Sequence, residues 1–63
     1  MTRLAKTLEQ AGISQKWLAT KTGLTAVTIS RYVNGNRKPN VSNALKIAKA
    51  LEMPVEVLFE VKE

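Results

Sequence analysis

The sequence predicts an all-α fold, a compact bundle of five short helices. Apolar residues recur at three- and four-residue spacing along almost the whole chain, and residues that cap or stop helices separate the apolar segments. The end of the chain is the exception, because Val55, Val57, Phe59 and Val61 alternate with a period of two. That alternation also suits a strand, which would pair with another chain.

The first helix is predicted between two residues that bound it. Thr2 can cap its start, and Gly12 can adopt the left-handed conformation that ends a helix. Its inner face would consist of Leu4, Leu8 and Ala11.

The second and third helices are bounded in the same way. Ser14 caps a second helix over residues 15–22 and Gly23 ends it, while Thr25 caps a third helix that stops at the Asn-Gly pair 34–35. The side chains expected to point inward are Leu18, Ala19 and Thr22, then Ile29, Tyr32 and Val33.

The last two helices are predicted from an asparagine and a proline. Asn40 can cap a fourth helix that runs through Leu51, and Pro54 suits the first turn of a short fifth helix. The side chains expected to point inward are Ala44, Leu45, Ala48 and Leu51, then Val55, Leu58 and Phe59.

The composition argues against an enzyme and against a metal or cofactor site. The 63 residues suffice for one small domain, residues 1–63, and include no cysteine, histidine or aspartate. Most general bases, nucleophile partners and metal ligands are therefore missing. No apolar run exceeds three residues and the first ten lack the apolar core of a secretion signal, so we expect a cytoplasmic, nucleoid-associated protein.

Charge is distributed unevenly along the chain. The net charge is +5, but residues 10–51 carry seven lysines and arginines and no acidic residue, whereas residues 52–63 carry four glutamates and one lysine. This predicts one face for a polyanion and another face for a different contact. A solvated basic surface without a specific partner would explain the charge alone equally well.

Three residues within 15–34 have the spacing of a helix-turn-helix. Ala19 is small enough for two helices to cross closely, Gly23 permits the positive φ of a tight turn, and Ile29 fills the angle between the helices. A generic helical hairpin with a glycine turn is the alternative. The combination on a basic background favours a pair whose second helix is presented to the major groove of DNA.

The sequence resembles the Cro/CI-type (XRE family) helix-turn-helix domain of phage repressors and bacterial regulators over residues 3–59. The matching motifs are Ile13-Ser14-Gln15-x-x-Leu18-Ala19-x-x-x-Gly23, Thr25-x-x-Thr28-Ile29-Ser30-Arg31-Tyr32-x-Asn34-Gly35, Arg37-x-Pro39 and Leu45-x-Ile47-Ala48-x-Ala50-Leu51. The resemblance implies a lambda-repressor-like fold that binds double-stranded DNA. Three residues depart from the family pattern: Trp17 stands where a polar residue is usual, Glu52 replaces a glycine or asparagine, and Met53 lacks the usual hydroxyl.

The resemblance also implies which residues contact bases. Arg31 is the best candidate, because its guanidinium can bond guanine O6 and N7 together, although a phosphate contact is the alternative. Ala26 and Val27 can contact thymine methyl groups, unless Val27 packs beside the second helix. The expected base contacts are Thr25, Ala26, Val27, Ser30 and Arg31.

Phosphate contacts are expected from helix starts and from the loop after the third helix. Gln15 lies in the first turn of the second helix, where free N–H groups favour an anion, and its family counterpart is a phosphate clamp. Lys46 and Lys49 fit a solvated helix face better. The expected phosphate contacts are Gln15, Thr28, Asn34, Asn36, Arg37 and Lys38.

A homodimer is expected, because one domain of this size contacts too short a half-site for useful specificity. The acidic segment 53–63 should be repelled from DNA, and the resemblance also places dimer contacts at the C-terminal end. The expected interface residues are Val57, Phe59 and Val61. Trp17 is either partly buried against a neighbouring helix or an exposed aromatic that anchors a partner.

These features predict a transcriptional regulator, most simply a repressor that binds a palindromic operator through residues 25–34 and occludes a promoter. One alternative is an antitoxin or another protein-interaction module in which DNA binding is secondary. The other is non-specific RNA binding or architectural DNA binding. Neither a membrane nor a small-molecule ligand is expected.

Overall fold

A computed structural model of the protein describes residues 2–59, and this range contains five helices and no strand. The all-α, five-helix prediction is confirmed. None of these helices is long and apolar enough to cross a membrane. The helices are Arg3–Ala11 (α1), Gln15–Thr22 (α2), Ala26–Val33 (α3), Val41–Leu51 (α4) and Val55–Leu58 (α5).

Four helices begin at the predicted capping residues. In each case a side-chain oxygen accepts a hydrogen bond from the backbone N–H three residues further on. Such a bond satisfies one of the N–H groups that the first turn of a helix leaves free. The capping residues are Thr2, Ser14, Thr25 and Asn40.

The ends of α1 and α2 also follow the prediction. Gly12 and Gly23 lie in the left-handed region, with φ of 68° and 77°. At α5 the structure differs slightly, because Pro54 is the residue before the helix rather than part of its first turn. Neither Pro54 nor Met53 carries a hydroxyl, and α5 has no side-chain cap.

Each helix contributes one fully enclosed side chain to a common core. These residues are at most 1% exposed, and they are Leu4, Leu18, Ile29, Ile47 and Leu58. Around them α2 packs on α3 and α4, while α1 and α5 pack on each other, α1 also on α3 and α5 also on α4. The core therefore fixes all five helices relative to one another.

The inner face predicted for α4 was partly wrong. Leu45 was expected to point inward but is 54% exposed, whereas Ile47 is fully buried. The buried stripe follows Ala44, Ile47 and Ala48, at the three- and four-residue spacing of one helix face. Leu45 lies about 100° around the helix from Ala44, given 3.6 residues per turn, and so falls on the flank.

Two further packing predictions need correction. Ala11, predicted on the inner face of α1, is exposed. Val55 and Phe59 are only half-buried, so Leu58 is the single fully enclosed residue of α5.

The predicted strand alternative at the C-terminal end is wrong for Val55 and Val57, because both belong to α5. Phe59 has extended backbone angles directly after that helix. Val61 lies outside the described residues.

Glu52 gives a stability prediction, because it is the one residue other than glycine with positive φ (54°) within residues 2–59. A side chain in the left-handed region costs roughly 1–2 kcal/mol, and glycine removes that cost at the expense of greater freedom in the unfolded chain. Glu52→Gly should therefore stabilise the protein by about 0.5–1 kcal/mol. Thermal unfolding measures this as a higher Tm.

The matched control is Lys49→Gly, in the regular part of α4, which should lower stability by about 1 kcal/mol. A Tm that falls in both variants would contradict the left-handed strain assigned to Glu52.

Candidate nucleic-acid interface

The helix-turn-helix consists of α2, the turn at residues 23–25, and α3. The backbone N–H of Gly23 donates to the carbonyl of Ala19 at 2.9 Å and closes α2. Ala19 is buried, and Ile29 has no exposed surface. Gly23 and Ile29 thus have the roles that their spacing predicted, and Ala19 is buried as expected.

The third helix has one buried and one exposed face. Ile29, Tyr32 and Val33 are buried, as expected from the sequence. On the opposite face Ala26 and Arg31 are exposed. Packing against the core therefore leaves the predicted base-contacting side in solvent.

Val27 is 61% exposed, so the alternative that it packs beside α2 is wrong. Ser30, also expected to contact bases, is half-buried. Its hydroxyl oxygen accepts a hydrogen bond from the Asn34 side-chain amide at 3.3 Å. This bond engages part of the Asn34 amide, which had been expected to contact a phosphate, and leaves the Ser30 proton free to donate.

Thr25 and Thr28 form one hydrogen-bonded unit at the start of α3. Thr25 Oγ1 accepts the backbone N–H of Thr28 at 3.1 Å, and the two hydroxyl oxygens are 2.8 Å apart. One hydroxyl proton is used between them, so the pair retains a single proton for an outside acceptor. The base and phosphate contacts expected of these two residues are therefore coupled.

The loop after α3 turns back onto the end of that helix. The backbone N–H groups of Asn36 and Arg37 both donate to the carbonyl of Arg31, at 3.0 and 3.3 Å. The side chains of Asn36, Arg37 and Lys38 are exposed. Because of this turn, Arg37 and Lys38 join Arg31 around one recess.

We call this concavity the basic recess. It lies between α3, the following loop and the start of α4, and its volume is about 290 Å³. No acidic residue occurs between positions 10 and 51, so every ionised side chain lining it is cationic. Its lining residues are Thr28, Arg31, Tyr32, Arg37, Lys38, Asn40 and Asn43.

Sequence reasoning missed three of these lining residues, namely Tyr32, Asn40 and Asn43. Tyr32 was assigned to the core, and Asn40 only to a helix cap. The Asn43 amide donates to the Tyr32 hydroxyl oxygen at 2.9 Å and joins α3 to α4. The eleven positions that separate these residues give no periodic signal for such a contact.

Two expected functional residues lie on α2. Gln15 is its first residue and is exposed, where the free N–H groups of the helix begin. Trp17 is 45% exposed, so neither of its two predicted environments holds entirely. A little more than half of its surface is covered and the remainder faces solvent.

The C-terminal end of α3 is held by Thr2, the first residue that the structure describes. The Thr2 hydroxyl donates to the carbonyl of Val33 at 2.6 Å while it accepts the N–H of Ala5 at 3.0 Å. One side chain thus caps α1 and satisfies a carbonyl in the last turn of α3. The sequence predicted the cap but not the second bond.

Comparison with known proteins agrees with this geometry. A helix-turn-helix family profile matches residues 4–58. The solved structure of the restriction-modification controller protein C.AhdI from Aeromonas hydrophila superposes with a TM-score of 0.83 at 33% sequence identity, covering 90% of this chain and 86% of that one.

A curated relative is much longer than this chain. The replication factor C small subunit of Thermococcus kodakarensis is 45% identical over 42 residues, which are 67% of this chain but only 5% of that protein. The similarity is therefore confined to a short segment of that longer protein.

The fold and the family profile together identify a DNA-binding domain of the helix-turn-helix class. Since the profile match spans nearly the whole described range, the chain belongs to the XRE-type helix-turn-helix family.

Thr2 gives a prediction about how α3 is held. Thr2→Val keeps the shape of the side chain but removes both hydrogen bonds, and it leaves the Val33 carbonyl without its donor. We expect a loss of about 1–3 kcal/mol in the free energy of unfolding, measured by denaturant titration.

Two controls accompany Thr2→Val. Thr2→Ser retains the hydroxyl and should recover most of the loss. Thr7→Val removes only a bond to the Arg3 carbonyl within α1, and should change stability by less than about 0.5 kcal/mol. Equal effects at positions 2 and 7 would contradict a special role for the bond to Val33.

Proposed function

We propose that the protein binds a palindromic DNA operator as a homodimer and represses transcription by occluding the promoter. The observation that carries this proposal is the outer face of α3, which is exposed next to a recess whose charged side chains are all cationic. An α-helix fits the major groove of B-DNA, where each base pair shows a distinct pattern of donors and acceptors.

Base recognition would come from the exposed side chains of α3. Arg31 is exposed and long enough to bond guanine O6 and N7 as a pair. Ala26 and Val27 present only apolar atoms, which suit thymine methyl groups. Ser30, and the one proton left to the Thr25–Thr28 pair, would add hydrogen bonds of lower specificity.

Phosphate contacts would position this helix along the groove. Gln15 at the start of α2 and the side chains of Asn36, Arg37 and Lys38 in the loop after α3 are exposed. Such contacts supply much of the affinity and nearly all of its salt dependence. Thr28 and Asn34 would contribute less, since both side chains already form internal hydrogen bonds.

Dimerisation would use the predicted residues Val57 and Phe59, in and directly after α5, together with the apolar surface of α4 beside them. A groove of about 640 Å³ lies there, and Val41, Leu45, Val55 and Phe59 are among its lining residues. Val41 and Leu45 are exposed, as is Val57 on α5. Exposed apolar side chains clustered in this way are typical of interfaces, and a two-fold related copy would cover the same patch on both partners.

A protein-interaction module remains the second candidate function. The half-exposed indole of Trp17 supports it. Trp17 does not line the groove at α4 and α5, so the proposed dimer contact would not cover this side chain. Co-purification of a partner whose binding is lost in Trp17→Ala, with DNA binding unchanged, would favour this alternative.

Selection of binding sites from a random duplex library tests the main proposal. A palindromic consensus with half-site centres about one helical turn apart is the expected result. Recovery of unrelated sequences at equal affinity would overturn sequence-specific binding.

Arg31→Ala should weaken binding to the selected site by about 1–3 kcal/mol and relax the preference at one base position. Lys38→Ala should instead weaken binding to all sequences alike and reduce the slope of log K against log salt by about one unit. Fluorescence anisotropy at several salt concentrations measures both quantities. Lys49→Ala, on the exposed side of α4, serves as the matched charge control and should change neither quantity appreciably.

An equal loss on every sequence in Arg31→Ala would show that Arg31 contacts only a phosphate. An unchanged salt slope in Lys38→Ala would place Lys38 outside the interface.

Leu45→Glu tests the dimer surface without emptying the core, since Leu45 is largely exposed. The substitution places a carboxylate on the apolar patch, so we expect a monomer in sedimentation and a loss of at least about tenfold in affinity for the full palindrome. Trp17→Glu adds the same charge away from the groove and should remain dimeric. A Leu45→Glu protein that stays dimeric would contradict this interface.

A further inference from the structure

Tyr32 occupies an unusual position, because it belongs both to the core and to the wall of the basic recess. Only 7% of the residue is exposed. A phenylalanine would fill the core equally well, so packing alone does not explain the hydroxyl group.

The hydrogen bond to Tyr32 leaves its own proton unused. The Asn43 side-chain amide donates to the hydroxyl oxygen at 2.9 Å, so Tyr32 is the acceptor in this pair. A phenolic hydroxyl can donate one hydrogen bond as well as accept, and the described residues supply no acceptor for that proton. Asn43 thereby orients a nearly buried hydroxyl whose donor remains available at the recess.

The other groups around the recess are also suited to a negative ligand. Arg31, Arg37 and Lys38 supply positive charge. The Asn40 oxygen is occupied by the backbone N–H of Asn43 at 2.7 Å, which leaves the amide N–H groups of Asn40 free to donate. Cationic and neutral donors thus surround one cavity that no carboxylate lines.

We infer that the basic recess binds a phosphate group, and that the Tyr32 hydroxyl donates a hydrogen bond to one of its oxygens. Under the proposed DNA-binding function this group is a backbone phosphate of the operator. The inference rests on the proposed function only for this source of the phosphate. Arg37 and Lys38 attract the phosphate, while Tyr32 and Asn43 determine where it is held and therefore the depth of α3 in the groove.

A neutral donor and a cation have different signatures in DNA binding. Tyr32→Phe should weaken binding about tenfold on all sequences, because a hydrogen bond to a charged group is lost, but it should leave the salt slope unchanged. Lys38→Ala should lower the slope. Replacing individual operator phosphates by methylphosphonate should reveal one position at which Tyr32→Phe has no further effect.

A second variant separates donation from a purely structural link between α3 and α4. In Asn43→Asp the new carboxylate accepts the Tyr32 hydroxyl proton. The hydrogen bond between α3 and α4 is therefore kept, but Tyr32 can no longer donate to a phosphate, and a negative charge enters the recess. Ser42→Asp places the same charge on a neighbouring exposed position and is the matched control. We expect Asn43→Asp to weaken DNA binding at least tenfold more than Ser42→Asp, with both proteins folded.

A third measurement does not depend on DNA binding. Titration of the free protein with inorganic phosphate should shift the NMR signals of the Asn43 side-chain amide in a saturable manner, and Tyr32→Phe should weaken that response. If the protein bound no DNA but showed this response, the proposed function would fail while the phosphate site stood.

The inference is overturned if folded Tyr32→Phe binds both DNA and inorganic phosphate as the original protein does. Equal effects of Asn43→Asp and Ser42→Asp would also overturn it.

Discussion

The burial of Ile29 is the constraint on which the geometry of the protein depends. This side chain is fully enclosed in the core cluster to which each of the other four helices contributes one enclosed residue, so the position of α3 is set by core packing. Protein interiors are packed densely and do not deform smoothly, so α3 cannot rotate without opening a cavity. The direction in which Ala26, Val27 and Arg31 face solvent is therefore a consequence of core packing.

Short helices need more than packing, because an isolated helix of eight to eleven residues is marginal in water. Here four side-chain caps and two left-handed glycines complete the helix ends. Thr2 extends this principle across the fold, since it completes the start of α1 and the end of α3 with one hydroxyl. Hydrogen bonds at both ends of α3 thus add to the constraint that the core places on its middle.

Two cavities of different character adjoin each other at α3 and α4. The basic recess lies between them and offers donors and cations, whereas the groove along α4 and α5 offers exposed apolar side chains. Tyr32, Arg37 and Lys38 line both cavities, so the recess and the groove are adjacent. The Asn43–Tyr32 hydrogen bond joins α4 to α3 beside the recess.

Local chemistry determined most of what the sequence could predict: the caps, the left-handed glycines, the helix bounds and the buried side of α3. Tertiary packing decided the rest, because it depends on which flank of a helix meets a neighbour. Ile47 rather than Leu45 is enclosed for this reason. The Thr2–Val33 and Tyr32–Asn43 bonds join residues 31 and 11 positions apart, and only the folded chain brings such groups within bonding distance.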